Sequence, residues 1–204
     1  RNGGTFIDVG ANLGYFSLLV ARGTQAPLQV HALEPLPRNF RWVRENVDAN
    51  GLAASIVAYA VAAGSEEGEL LMSDYGTGAS FVEGWDEGKG DEQGAVPVPV
   101  RRLDDMFAAS LLPGPVTIKI DVEGYEWETL NGAPELLASP SVQCVLLEAS
   151  HRMHPGGHNR TVKDTLALMQ GHGDTCLGHR SPADRRNQLA DTDPYQPDDP
   201  AIQT

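Results

Sequence analysis

The sequence has 204 residues, of which 41% are hydrophobic, and a formal net charge of −13. This length and apolar content are typical of one folded domain and exclude an intrinsically disordered chain. The acidity argues against a nucleic-acid partner, whose phosphates require clustered Lys and Arg, and no apolar run approaches the ~20 residues of a membrane-spanning helix.

Apolar runs typical of β-strands alternate with helical patterns, which predicts an α/β fold with a doubly wound, mostly parallel sheet. The predicted strands are residues 5–9, 29–33, 55–59, 70–72, 96–100, 116–122 and 142–148. The predicted helices are residues 15–22, 37–50, a short capped helix at 103–107, one beginning near Tyr125, and 161–171. Pro134 is expected to end the helix after Tyr125 or to open a following turn.

The second half of the chain carries three further expectations. The run 142–148 is almost continuously apolar, so we expect a strand covered on both faces with Cys144 as a buried, reduced thiol. The Gly-rich, acidic insert 73–95 is either a lid facing the substrate or a surface excursion. We expect one domain at 1–178, a polar tail at 179–204, and a fragment of a longer protein, since the first strand follows Arg1 almost at once.

A glycine-rich loop follows the first predicted strand, where Gly10, Asn12 and Gly14 lead into a helix. This is the layout of a nucleotide-type cofactor site. Asp8 would repel a pyrophosphate but suits a ligand that carries an ammonium and a sulfonium, which describes S-adenosyl-L-methionine. Glu34 follows Gly14 by 20 positions and can accept two hydrogen bonds from a ribose diol. The alternative is an ordinary strand-to-helix turn whose glycines only permit a positive φ.

A second group of acids follows the predicted strand 116–122. Asp121 and Glu123 leave this strand where open α/β sheets bind ligands, and Gly124 lets the chain turn into the next helix. Two such carboxylates could bind a cation, orient a hydroxyl or act as a general base. In the alternative interpretation, Asp121 caps the helix and Glu123 pairs with Lys119 or faces solvent.

Several motifs resemble those of the FkbM family of S-adenosylmethionine-dependent methyltransferases. They occur in the family's order between Thr5 and Ser150: F-I-D-V-G-A-N-L-G-Y-F-S, L-E-P-L-P-R-N-F, V-R-R-L-D-D, I-K-I-D-V-E-G-Y-E-W-E-T-L-N-G-A and V-L-L-E-A-S. The fourth motif is the most specific. The resemblance implies a Rossmann-like class I methyltransferase fold. The sequence shows no candidates for the last two strands of a seven-stranded methyltransferase sheet.

The resemblance also implies a function and a binding site. The cofactor would be S-adenosyl-L-methionine, and the reaction would be O-methylation of a hydroxyl on a small molecule, sugar, glycan or natural product. Asp121 would face the methionine part of the cofactor or the acceptor. The candidate cofactor-binding residues are Asp8, Gly10, Ala11, Asn12, Gly14, Tyr15, Glu34, Pro35 and Asp121.

An aliphatic hydroxyl is a poor nucleophile, so a base that takes its proton is useful. The catalytic candidates are Asp121, Glu123 and His151; the alternative for His151 is a histidine on a surface loop. His154 and His158 have no further ligand at a supporting spacing, so no metal site is predicted.

Two other functions compete with methyl transfer. The first is a nicotinamide-dependent oxidoreductase, which the glycine spacing and Asp8 oppose. The second is a non-catalytic binding module that keeps the fold. The carboxylates of Asp8, Glu34 and Asp121 oppose it, because a module without a cofactor need not keep all three at the crevice.

Overall fold

The structure of the protein is a computed structural model, and it describes residues 3–24, 26–72, 96–148 and 162–171. The strands are β1 (Gly4–Val9), β2 (Leu28–Leu33), β3 (Ile56–Tyr59), β4 (Ala62–Ala63), β5 (Gly68–Met72), β6 (Val96–Arg101), β7 (Val116–Ile120) and β8 (Val142–Leu147). The helices are α1 (Tyr15–Gly23), α2 (Pro37–Ala49), α3 (Leu103–Met106), α4 (Glu126–Asn131), α5 (Pro134–Leu137) and α6 (Val162–Gly171). The helix after Tyr125 ends before Pro134, and Pro134 begins the short helix α5 where the sequence predicted a turn.

The main sheet has five parallel strands in the order β3-β2-β1-β7-β8, which confirms the predicted α/β fold with a parallel sheet. The chain winds outward from β1 to β3 on one side and from β7 to β8 on the other. The change of direction therefore falls between β1 and β7. Ligands of open α/β sheets bind at such a switch point, beyond the carboxyl ends of the strands.

Two apolar cores cover the two faces of this sheet. On one face, Phe6 and Val30 pack with Val43 and Val47 of α2. On the other face, a larger cluster joins the sheet to the later helices through Ile7, Leu33, Ile118, Ile120, Leu103, Leu130, Leu136 and Met169. Burial on both faces explains why β1 and β2 are almost continuously apolar in sequence.

A second sheet of three strands, in the order β4-β6-β5, stands beside the main sheet. Its β5 and β6 are the two short strands predicted around the insert, and they pair in antiparallel fashion. The two-residue strand β4 was missing from the prediction, because two alanines carry no periodic pattern. Leu36, which lies between β2 and α2, packs against this second sheet in one buried cluster with Val98 and Val100.

The prediction that β8 is covered on both faces is wrong. Within the part of the chain that the structure describes, this strand lies at the edge of the sheet; Leu146 is 54% exposed, and Cys144 is an exposed free thiol rather than a buried one. An apolar run alone does not distinguish a central strand from an edge strand, because strand order is a property of the whole fold.

The short helix α3 is not capped by a side chain, although the sequence predicted a cap. Its Asp104 instead caps a different helix: the carboxylate accepts hydrogen bonds from the backbone N–H groups of Glu135 (3.1 Å) and Leu136 (2.9 Å). Asp104 therefore stabilises the start of α5, across 31 positions of sequence.

Among the described residues, the structure has no helix long and apolar enough to cross a membrane. The insert 73–95 and the tail 179–204 lie outside the described residues, as do His151, His154 and His158.

Candidate active site

The loops after β1 and β7 meet at the switch point of the sheet. A Cβ atom placed on Gly10 would lie 1.9 Å from the carbonyl oxygen of Asp121, so the two loops touch through their backbones. The sequence analysis attributed this glycine to the loop around a ligand. The structure gives it a different cause, since the chain itself fills the space where a side chain would stand.

The loop after β1 turns through three residues with positive φ. These are Gly10 (77°), Asn12 (53°) and Gly14 (81°), and Gly14 immediately precedes α1. Asn12 tolerates this conformation better than most non-glycine residues. The turn aims the backbone N–H of Asn12 at the carboxylate of Glu34, which it reaches at 2.8 Å.

Glu34 follows β2 directly and is only 5% exposed. Its Oε1 accepts a hydrogen bond from the N–H of Leu36 (3.0 Å), while its Oε2 accepts from Asn12. Burial raises the pKa of Glu34 to about 7, against the opposing effect of its hydrogen bonds from Leu36, Asn12 and the side chain of Asn39. Each carboxylate oxygen can accept more than one hydrogen bond, so these contacts orient the group without exhausting it.

Asp8 differs from the expectation that it faces a ligand. Its side chain is fully buried. One oxygen accepts a hydrogen bond from the hydroxyl of Ser17 on α1 (2.6 Å), and the other lies 3.4 Å from Nζ of Lys119. A buried carboxylate is costly without such partners. Asp8 therefore holds α1 and β7 to β1 and has no surface on the crevice in this conformation.

Lys119 is the positive charge that sequence reasoning had considered only as a partner for an acid. It lies beside Asp8 in the register of β1 and β7, and its Nζ is also 3.1 Å from Oδ2 of Asp121. The ammonium donates a hydrogen bond to the carbonyl of Gly10 (3.3 Å) and stands 5.1 Å from the ring centre of Phe16. In the sequence, Lys119 stands between two isoleucines of a buried strand, and a lysine in such a place indicates a negatively charged partner nearby.

Asp121 itself lies at the start of the loop after β7, with its side chain 27% exposed. It does not cap α4, as one interpretation of the sequence proposed, because α4 has no side-chain cap at its first residue. Its carboxylate forms an ion pair with Lys119. Asp121 is thus the partly exposed member of a charged group whose other members are buried.

The loop that follows Asp121 is held in an uncommon conformation. Glu123 has a φ of 54° and Gly124 a φ of 106°. The backbone N–H of Gly124 donates to Oε1 of Glu126, which is buried, and burial raises the pKa of Glu126. Sequence analysis did not single out Glu126, although its place two residues after a glycine turn could have suggested this local hydrogen bond.

The remaining candidate residues lie around the same edge of the sheet. Ala11 is a buried residue within the glycine loop, and Pro35 is half-buried next to Glu34. Tyr15, at the start of α1, is 67% exposed and makes an edge-on contact with Phe16. His151 lies outside the described residues, so its role stays a prediction.

The charges of this edge fit a cationic cofactor better than a pyrophosphate. Asp8 and Asp121 both lie against the ammonium of Lys119, so this group carries one surplus negative charge, and Asp121 is its partly exposed acid. Glu34, on the neighbouring strand, offers lone pairs suited to vicinal hydroxyls. These residues fit S-adenosylmethionine, whose ribose diol and positively charged methionine part would meet Glu34 and Asp121 respectively.

The chain resembles two characterised methyltransferases at low identity. It is 26% identical over 160 residues to the hexuronic acid methyltransferase AglP of Haloferax volcanii, with 78% of this chain and 60% of that protein covered. It is 25% identical over 210 residues to the 31-O-demethyl-FK506 methyltransferase FkbM of Streptomyces tacrolimicus, with 89% and 76% covered.

A solved structure has a similar fold. The methyltransferase FkbM of Methylobacillus flagellatus KT superposes with a TM-score of 0.59 at 20% identity, covering 89% of this chain and 42% of that one. The present chain thus spans 60% of the length of AglP and less than half of the solved protein. The model of the methyltransferase FkbM domain matches residues 8–176. This match includes both crevice loops, and the chain belongs to the FkbM methyltransferase domain family.

Proposed function

We propose that this protein is an S-adenosylmethionine-dependent methyltransferase that methylates a hydroxyl group on a sugar, glycan or other natural product. The observation that carries the proposal is the bond between Glu34 and the glycine loop. The N–H of Asn12 fixes a buried carboxylate at the carboxyl end of β2, next to the switch point, where a ribose diol would lie. Membership of the FkbM family supports the same cofactor.

When bound, S-adenosylmethionine supplies an already activated methyl group. The residues of the protein then have two tasks, which are to hold donor and acceptor in line and to receive the proton of the hydroxyl. Glu34 holds the ribose through its carboxylate, and the glycine loop with its positive-φ turn at Asn12 lies alongside the cofactor. Asp121 contributes the negative charge that attracts the methionine part.

The proton acceptor is chosen from Asp121, Glu123 and His151. Asp121 has its charge partly compensated by Lys119, and Glu123 stands two residues further along the same loop. We place Asp121 first because its partly exposed carboxylate follows β7 directly, at the switch point of the sheet. Glu123 and His151 remain alternatives for the base.

The acceptor class rests on the relatives. AglP is named for a hexuronic acid and FkbM for 31-O-demethyl-FK506, which together favour a hydroxylated acceptor. The proposed domain spans 1–178 and is followed by the tail 179–204.

Calorimetric titration with S-adenosylhomocysteine tests the cofactor assignment. The wild-type protein should bind it with a measurable Kd, whereas NAD should give no heat of binding. Binding of NAD alone would favour the oxidoreductase. Binding of neither compound by a folded protein would favour a non-catalytic module. Transfer of a radiolabelled methyl group to hexuronic acids or to 31-O-demethyl-FK506 would then identify the acceptor class.

A further inference from the structure

Lys119 connects the two loops that form the crevice. Its ammonium lies 3.4 Å from Asp8 on β1, 3.1 Å from Asp121 after β7, and 3.3 Å from the carbonyl oxygen of Gly10. An ammonium has three N–H donors, and three oxygen atoms from three residues surround this one. The side chain therefore has a defined direction rather than the freedom of an exposed lysine.

The three charged side chains, Lys119, Asp8 and Asp121, differ in how far they are exposed to solvent. The side chain of Lys119 is 10% exposed and that of Asp8 is fully buried, so this pair alone would balance its own charge. Asp121 is the third member and the most exposed at 27%. A structural ion pair does not require this second acid, whereas a site for a cation does.

The backbone near Asp121 gives a reason why its side chain must be held from outside. The backbone N–H of Asp121 still donates to the carbonyl oxygen of Val9 (3.1 Å), so the main chain is held by β1 at this point. Glu123 and Gly124 then turn with positive φ, so no helix or strand continues past Asp121 to pack against its carboxylate. Asp121 has no capping bond to α4. Its ion pair with Lys119 is the contact that fixes the direction of the carboxylate.

We propose that Lys119 is a positioning residue for Asp121, which it directs toward the ammonium group of the cofactor's methionine part. This inference rests on the proposed function. Lys119 touches no substrate itself. It acts through its ion pair with Asp121, while its bond to the carbonyl of Gly10 and its contact with Asp8 fix its own position.

A double-mutant cycle with S-adenosylhomocysteine as the probe tests this coupling. The proteins are wild type, K119M, D121N and K119M/D121N, with Kd measured by calorimetry well below the lowest melting temperature of the four. Each single substitution should weaken binding about tenfold, and the double variant should also bind about tenfold weaker. Two independent contacts would instead multiply to about a hundredfold. K119R keeps the cation and should recover part of the affinity that K119M loses.

K119M removes the cation beside the buried Asp8 and could therefore prevent folding. A second version of the cycle covers this case. D8N removes that charge while its amide oxygen still accepts from Ser17, so the same four proteins are compared on a D8N background. In either version, equal losses from K119M with and without D121N overturn the proposal. So does unchanged affinity in K119M or in D121N. Failure of wild type to bind S-adenosylhomocysteine would overturn the proposed function instead.

Discussion

Glu34 and Asn12 are joined by a hydrogen bond of 2.8 Å between a side-chain oxygen and a backbone N–H. The bond links the end of β2 to the loop after β1, so an acid on one strand fixes the loop of its neighbour. It explains how Asn12 maintains a positive φ of 53°, because the bond offsets part of the cost of that conformation.

Replacing Glu34 by Ala should weaken S-adenosylhomocysteine binding at least tenfold. Two charge-assisted hydrogen bonds to the ribose would be lost, each worth about 1.5–3 kcal/mol when intact. Calorimetric titration measures the change. Glu69→Ala, at an exposed glutamate of β5, is the matched control and should bind as wild type does. If a folded Glu34→Ala variant bound S-adenosylhomocysteine as tightly as wild type, Glu34 would not be part of the cofactor site.

The pH dependence of binding should follow the ionisation of Glu34. Its pKa of about 7 is raised mainly by burial, and the charge of Asp8 adds to this effect. Ribose hydroxyls donate better to the carboxylate than to the neutral acid, so cofactor binding selects the ionised form. Affinity should therefore increase about tenfold from about pH 6 to about pH 8 and level off above it. Glu34→Gln should abolish the increase, and a wild-type profile that is flat over this range would contradict the assignment.

The same pKa predicts the stability of the protein without cofactor. Between the ordinary value of 4.5 and about 7, the unfolded chain has released the proton of Glu34 while the folded protein retains it. Unfolding therefore releases a proton in this window, and the contribution of Glu34 to the free energy of unfolding falls as pH rises. Urea titrations of wild type and Glu34→Gln, compared at several pH values, measure this difference. A Glu34 contribution that grows with pH would show that burial does not dominate its pKa.

Asp121→Asn should reduce turnover far more than stability. The asparagine keeps the shape and a hydrogen-bonding oxygen near Lys119, while Asp8 still balances the buried ammonium. We expect a loss of methyl transfer of ~100-fold, the lower end for a lost general base, with a small fall in melting temperature. Turnover per folded molecule, with melting followed by circular dichroism, separates the two effects. A large fall in melting temperature with normal turnover would make Asp121 a structural residue.

The sequence predicted those parts of the site that depend on local order along the chain. The apolar run before Asp8, the glycine turn and the acid ending β2 each follow from neighbouring residues, and the structure places all three at one edge of the sheet. The sequence also made an ion pair between Lys119 and Asp121 possible, because side chains two positions apart in extended chain project to the same side.

The parts that sequence reasoning missed depend on contacts between distant strands. Asp8 lies beside Lys119 only because β1 and β7 are neighbours in a particular register, and this pairing turns a predicted ligand contact into a buried ion pair. The exposure of Cys144 has the same origin, since only the order of the strands places β8 at the edge.

Gly10→Ala should destabilise the protein in the absence of any cofactor. The new Cβ would lie 1.9 Å from the carbonyl oxygen of Asp121, and the residue has a φ of 77°. The steric conflict costs about 1–3 kcal/mol and the left-handed conformation about 1–2 kcal/mol more. Urea unfolding should show a clear decrease in the midpoint. Gly23→Ala is the control, since its Cβ would have nothing within 4 Å, and it should be neutral or stabilise α1 by up to ~1 kcal/mol. If Gly10→Ala were as stable as wild type but bound S-adenosylhomocysteine poorly, then Gly10 would be required by the ligand and not by the contact between the two loops.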